Sequence, residues 1–276
     1  MIVTLKEILE IAQARGCAVG SFNTPNLESL QAVIGAAEEL GEPVIIMHAQ
    51  VHEEMGLVRM EDMVDVMLLK AEKAKVPVCV HLDHGTDMDY VKRGMELGFT
   101  SVMYDGSALP MAENYANTCE IVELAHKKGI SVEAEVGSMG AREGGGAGGE
   151  SIYTDPAEAK NFVEETGIDA LACAFGTAHG LYLKQPKLDF DRLAEIRSLV
   201  NVPLVMHGGS GVSEENYRIA IATGIRKINY YSYMAKAGGT AVDALADRTF
   251  FHDISVAAQQ GMREDVKQAM KVFALK

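Results

Sequence analysis

Short apolar runs rich in β-branched residues recur along the chain, each followed by a polar turn and then by a stretch with helical spacing. The runs are CAVGSFN (17–23), PVIIMHA (43–49), VPVCVHLDH (76–84), TSVMYDG (100–106), SVEAEVG (131–137), ALACAFG (170–176), PLVMHGG (203–209) and KINYYS (227–232). Eight such runs, each leading into helix-like sequence, predict an α/β fold: a closed parallel (β/α)8 TIM barrel. Several runs begin apolar and end polar, as in HLDH, YDG, EVG and HGG. A barrel needs that asymmetry if its chemistry is gathered at the C-terminal ends of its strands.

Helix boundaries support the same reading. Asp155-Pro156 offers a capping carboxylate followed by proline at the first helical position, and Gly167 stands where a helix-ending glycine belongs. Ser213 before Glu214 and Glu215 is another helix start. Residues 234–276 read as a helical tail suited to packing or assembly. With no internal repeat and no linker, residues 1–276 are predicted to form one barrel domain carrying that tail. Residues 138–154, SMGAREGGGAGGESIYT, interrupt the rhythm with six glycines. Ordering such a stretch is entropically costly, so a mobile flap beside the rim is expected, with Arg142 and Glu143 as charges within it.

Composition narrows the function. A chain of 276 residues that is 48% hydrophobic can fill a barrel of about 250 residues and the shell under its helices. Its net charge of −14 argues against nucleic acid or an anionic membrane as partner. A small anionic ligand would have to be met locally, by a metal or by backbone N–H groups. The cysteines Cys17, Cys79, Cys119 and Cys173 show no CxxC spacing and read as thiols of a reducing compartment. The N-terminus lacks a signal-peptide layout, and no apolar run approaches the roughly 20 residues of a membrane span. A cytoplasmic protein is expected.

Eight histidines are present, and three of them, His84, His179 and His207, fall at or just past the tips of the third, sixth and seventh runs. Each is followed by glycine, which lets the backbone approach a ligand closely or adopt positive φ. One histidine at a strand tip is most often a loop hydrogen-bonding partner. Three His-Gly pairs converging on one rim instead predict a catalytic zinc site with an open position. Asp83, beside His84, is placed for general acid–base work, or else to orient a ligand imidazole. Neighbouring residues of a strand point to opposite sides, so both reach the rim only if the strand is ending there. His81 reads as interior packing or as support for a ligand.

Glu133 and Glu135 share one face of the fifth run, where two inward carboxylates would be costly without cations. Glu135, at the tip, is placed to visit the metal, whereas Glu133 lies deeper. Asp105, at the tip of the fourth run, is a supporting or alternative metal partner. HGGSG (207–211) and NYYSY (229–233) supply the turn after the seventh run and the tip of the eighth, the usual phosphate position of a barrel.

Taken together, SFNTPN (21–26), HLDHG (81–85), TSVMYDGS (100–107), VEAEVG (132–137), GTAHG (176–180), PLVMHGGSG (203–211) and KIN (227–229) resemble the class II ketose-bisphosphate aldolases. This group includes fructose- and tagatose-bisphosphate aldolases. The resemblance implies one catalytic Zn2+ on His84, His179 and His207, with Glu135 as an alternative contact. It implies Asp83 as the acid–base at the hydroxyl of the bond-forming carbon and Glu143 as the group handling the donor-carbon proton. Asn23, Gly180, Gly208, Gly209, Ser210, Asn229 and Ser232 match positions around the substrate and the phosphate of dihydroxyacetone phosphate. A monovalent cation (Na+ or K+) near that phosphate and a homodimer or homotetramer are also implied.

The implied reaction breaks a ketose phosphate between C3 and C4 through a metal-stabilised enediolate, and it needs no Schiff base. A lysine-based aldolase would need an inward lysine, and Lys227 is the only candidate near a strand. Two positions depart from the family. Tyr231 stands where an aspartate normally contacts substrate, and Ala49, near His48 and His52, stands where serine or threonine is common. Those departures predict a non-standard acceptor aldehyde, one without a second phosphate. The same histidines also fit a zinc barrel hydrolase or epimerase, or a sugar-phosphate-binding homologue without activity.

Overall fold

The computed structural model of the chain describes residues 1–137, 153–182 and 184–276. Its elements in chain order begin with β1 (Ile2–Val3), α1 (Leu5–Arg15), β2 (Val19–Asn23), α2 (Leu27–Leu40) and β3 (Val44–Ala49). There follow α3 (Gln50–Glu54), α4 (Met60–Lys73), β4 (Val78–Gly85), α5 (Met88–Leu97), β5 (Ser101–Tyr104), α6 (Met111–His126) and β6 (Ser131–Val136). The second half holds α7 (Pro156–Thr166), β7 (Ala170–Cys173), α8 (Phe190–Leu199), β8 (Leu204–Met206), α9 (Glu214–Thr223), β9 (Ile225–Tyr230), α10 (Ser232–Asp243) and α11 (Phe251–Phe273).

Strands β2 to β9 pair in parallel, each with its sequence neighbours, and β9 returns to β2 to close the sheet. This is the (β/α)8 TIM barrel predicted from the eight runs. β1, which the run pattern missed because it holds only two residues, pairs alongside β4 outside the ring. Strand pairing is shorter than the apolar runs. β8 ends at Met206, one residue before His207, and β7 ends at Cys173, so the functional tips lie in loop backbone.

Side chains alternate in and out of the barrel, as the period of a strand demands. The interior apolar cluster takes Ile45 and Met47 from β3, Cys79 from β4, Met103 from β5, Ala170 and Ala172 from β7 and Val205 from β8. Leu5, Ile8, Leu9 and Ala12 of α1 join it, so α1 plugs one end of the barrel. Outward neighbours such as Ile46, Val80, Leu82, Val132 and Ala134 build the shell beneath the helices.

The predicted caps are formed: Asp155 accepts from the backbone of Ala157 and Glu158, Gly167 takes the left-handed conformation, and Ser213 accepts from Asn216. The tail is α10 with the 23-residue α11, which carries Met262, Val266, Met270 and Phe273 into the shell. The flap expected over 138–154 lies outside the described residues except for Tyr153 and Thr154; Thr154 is buried and donates to the Val136 carbonyl. No described helix is long and apolar enough to cross a membrane.

Candidate active site and metal centre

The open end of the barrel holds a cavity of about 310 Å3. Asn23, Ala49, Asp83, His84, Asp105, Glu135, His179, Gly180, Gly208, Ser210, Asn229, Tyr231 and Ser232 all line it, as the sequence anticipated. Glu133, His207 and Gly209 do not; His207 has no exposed surface. Glu133 is fully buried in the floor. Gly209 packs so closely that a Cβ there would lie 2.6 Å from Ile228 and 2.7 Å from the Asn229 carbonyl oxygen. Packing alone therefore demands glycine at 209. Glu143 lies outside the described residues.

Both Asp83 and His84 reach the mouth because β4 ends irregularly. Asp83 follows the inward alternation of Cys79 and His81, so His84 should point outward. Instead His84 adopts φ 47°, and the pairing of β4 with β5 slips between Leu82 and Gly85. A left-handed residue without glycine's freedom is uncommon and marks a functional strain. The positive φ thus falls on the histidine itself. Gly85 serves close approach instead: a Cβ there would sit 2.4 Å from Val91 and 2.9 Å from the Met103 carbonyl oxygen. At Gly208 both demands meet, with φ 60° and the Ala178 carbonyl oxygen 2.5 Å from where a Cβ would be.

The three histidines converge, their ligand atoms all lying within 4.8 Å of one another. His84 Nε2 and His207 Nδ1 face each other at 2.8 Å. Their other nitrogens are occupied: His84 Nδ1 bonds Asp105 at 2.8 Å, and His207 Nε2 bonds Glu133 at 2.7 Å. Imidazoles oriented by carboxylates in this way turn their inner nitrogens to a common point, a donor set that fits a metal such as zinc. Glu135 Oε2 lies 3.7 Å from His207 Nδ1, and His84, Asp105 and Glu135 make a second group able to hold a metal.

Charge is distributed to match. Burial works against a charged His84, but Asp83, Asp105 and Glu135 outweigh it and raise its pKa to about 10. Burial, then the charges of His84 and His207, push His179 down to about 3, and burial and His84 likewise lower His207. One proton therefore occupies the gap between the facing nitrogens. Asp83 is held far below the usual carboxylate range, because His84, Lys227, His207 and His81 outweigh the effect of burial. Its two oxygens accept from the amides of Asn23 at 3.1 Å and Asn229 at 3.0 Å.

The model of the family described as fructose-bisphosphate aldolase class-II matches residues 3–276. The chain belongs to the class II fructose-bisphosphate aldolase family. A fructose-bisphosphate aldolase of Staphylococcus aureus is 39% identical over 278 residues, covering 99% of this chain and 97% of its own. The YdjI aldolase of Escherichia coli K12 superposes with a TM-score of 0.89 at 36% identity, over 99% of this chain and 97% of that one. A putative fructose-1,6-bisphosphate aldolase from Coccidioides immitis also gives 0.89, at 29% identity, over 98% and 95%. The protein is a class II aldolase, a carbon–carbon lyase, and the hydrolase, epimerase and non-catalytic readings are not favoured.

Within this aldolase, several supporting residues had no signal in the sequence. Tyr182 accepts from the Ala178 amide and donates to the Gly208 carbonyl, both at 2.8 Å, bracing the His179 loop against the Gly208 turn. Ser107 donates to Asp105 at 2.6 Å. His48 and His52 separate. His48 turns to the helix layer and bonds Tyr90 at 2.9 Å, whereas His52 lines the cavity with its ring 4.8 Å from that of Tyr231. Ser210 Oγ accepts from the Tyr231 amide at 2.8 Å, beside the first turn of α10 at Ser232. Lys227, the inward lysine a Schiff-base mechanism would have needed, is fully buried inside the barrel and lines no part of the cavity.

Proposed function

We propose that this aldolase uses one zinc ion on His84, His179 and His207 to cleave and form the C3–C4 bond of a ketose phosphate. The products of cleavage are dihydroxyacetone phosphate and an aldehyde. The observation that carries this reading is the pair of facing imidazole nitrogens 2.8 Å apart, their outer nitrogens held by Asp105 and Glu133, with Asp83 on the same wall. When bound, zinc supplies a Lewis acid that polarises the donor carbonyl.

The protein's own groups do the rest. Asp83, anionic and fixed by Asn23 and Asn229, takes the proton of the C4 hydroxyl during cleavage and returns it during condensation. Glu143 handles the proton of the donor carbon. Gly180, Gly208, Gly209, Ser210, Asn229 and Ser232 position the donor phosphate, a role supported by the glycine turn meeting the N-terminus of the 12-residue α10. A sodium or potassium ion is proposed beside that phosphate.

The acceptor is proposed to be non-standard. Among the described residues the lining holds no lysine or arginine, and outside the phosphate turn Gln50, His52, Glu54, Thr86 and Asp105 make it neutral or acidic. Such a lining repels a second phosphate and offers hydrogen bonds to hydroxyls. Ala49, smaller than a serine or threonine, lines the same cavity. Assembly into a homodimer or homotetramer in the cytoplasm completes the reading, supported by four free cysteines and by Phe250, Phe251 and Val256 exposed around the start of α11.

The test is a panel of aldehydes incubated with dihydroxyacetone phosphate and zinc, with Asp83→Ala as the blank. Turnover that chelation abolishes, and that favours an unphosphorylated aldehyde, supports the proposal. Cleavage of fructose 1,6-bisphosphate as good as that of any other ketose would remove the acceptor assignment.

A further inference from the structure

Lys227 sits mid-strand in β9 with no exposure, among groups that the reaction never touches. Its Nζ donates to Glu133 Oε2 at 2.8 Å and to His81 Nε2 at 3.3 Å. His81 in turn bonds Ser101 Oγ through Nδ1 at 2.8 Å. The other oxygen of Glu133 accepts from His207 Nε2 at 2.7 Å. Lys227, His81, Glu133 and His207 are all fully buried.

A buried ion pair is seldom worth its desolvation when apolar side chains of equal volume would fill the space. Here the pair has a directional consequence. A carboxylate offers two oxygens, and an ammonium occupying one of them fixes the plane and leaves the other for a single donor. That donor is the N–H of His207, so the hydrogen of this imidazole must sit on Nε2 and its lone pair on Nδ1. Nδ1 is the nitrogen that faces His84. Without the lysine the carboxylate is free to turn, and its charge is uncompensated.

We infer that Lys227 is a positioning residue for the metal site: by clamping Glu133 it dictates which nitrogen of His207 is presented as ligand. The chain of bonds from Ser101 through His81, Lys227 and Glu133 to His207 crosses β5, β4, β9 and β6 to the end of β8. Lys227 donates to both of its neighbours in this chain, and Glu133 accepts from both of its own, Lys227 and His207. This inference rests on the zinc reading above.

The experiment is zinc titration of the chelator-stripped enzyme by competition with a chromophoric chelator, together with 15N NMR of histidine-labelled, zinc-loaded protein. Lys227→Met is expected to weaken zinc 10- to 100-fold, a range usual for groups that orient metal ligands. The Nε2–H signal of His207 should move or broaden in the same variant. The double variant Lys227→Met/Glu133→Gln removes the lone buried charge but leaves the side chain at 133 unclamped, so its zinc affinity should stay about tenfold below wild type, with the His207 signal still displaced or broadened. A Lys227→Met protein that binds zinc within twofold of wild type, with the His207 signal unchanged, would overturn the inference. If Lys227→Met does not fold, the double variant decides: zinc affinity within twofold of wild type, with the His207 signal unchanged, would overturn the inference. Wild-type enzyme that binds no zinc would instead remove the zinc reading on which this rests.

Discussion

Asp83 reaches the cavity as an anion although it is buried, because surrounding cationic groups and two asparagine amides hold its charge. Asparagine at 83 keeps the shape and loses the base. Asp83→Asn should lower C3–C4 cleavage by about 10²- to 10⁴-fold, the usual contribution of general acid–base catalysis. Exchange of the donor-carbon proton with solvent should persist, because Glu143 is assigned that step; steady-state cleavage and deuterium incorporation measure the two separately. His84 carries a second prediction. With its pKa raised to about 10, it holds a proton at neutral pH on the nitrogen that zinc would take. Metal must displace that proton, so zinc affinity should rise with pH, by about tenfold per unit from neutrality towards pH 10, with about one proton released. Calorimetry in buffers of different ionisation enthalpy counts it. A pH-independent affinity would mean that His84 is not a ligand.

Among the elements, β4 departs furthest from a regular strand. The HLDHG run announced that the strand ends at its catalytic pair, but not how. Alternation puts Asp83 inside and His84 outside, and only the left-handed turn at His84 with the slipped β5 register brings both to one cavity. Tight packing of Gly85 on Val91 and the Met103 carbonyl sets that turn. Gly85→Ala should cost about 1–3 kcal/mol, as overpacking does, lowering the melting temperature of the apoprotein by about 2–4 °C per kcal/mol. Zinc affinity should fall with it. A melt unchanged from wild type would show that the strand end yields easily. The strands, caps and three histidines were legible because each rests on a local signal: period, cap residue or tip position. Lys227, Tyr182 and the different fates of His48 and His52 were not, since they depend on which strands and loops meet across the barrel. The tight packing of Gly209 on Ile228 and the Asn229 carbonyl was hidden for the same reason.

For the molecule as a whole, the acidic surface and the metal site divide the work. A net charge of −14 keeps polyanions away, while in the proposed reaction the small anion that enters is met by the glycine turn and by zinc. In the proposed homodimer or homotetramer, the exposed Phe250 and Phe251 at the start of α11 are assigned to the contact between copies. Light scattering should return two or four times the 29.7 kDa of the chain, and Phe250→Ser with Phe251→Ser should lower it. A wild-type mass of one chain would contradict the assembly. Deuterium exchange into dihydroxyacetone phosphate alone, with no aldehyde present, asks whether a metal on the three histidines activates the donor. Exchange is expected from the zinc-loaded enzyme, with loss on chelation, return on adding zinc, and none with His207→Ala. Exchange that survives chelation, or that His207→Ala retains, would contradict that assignment.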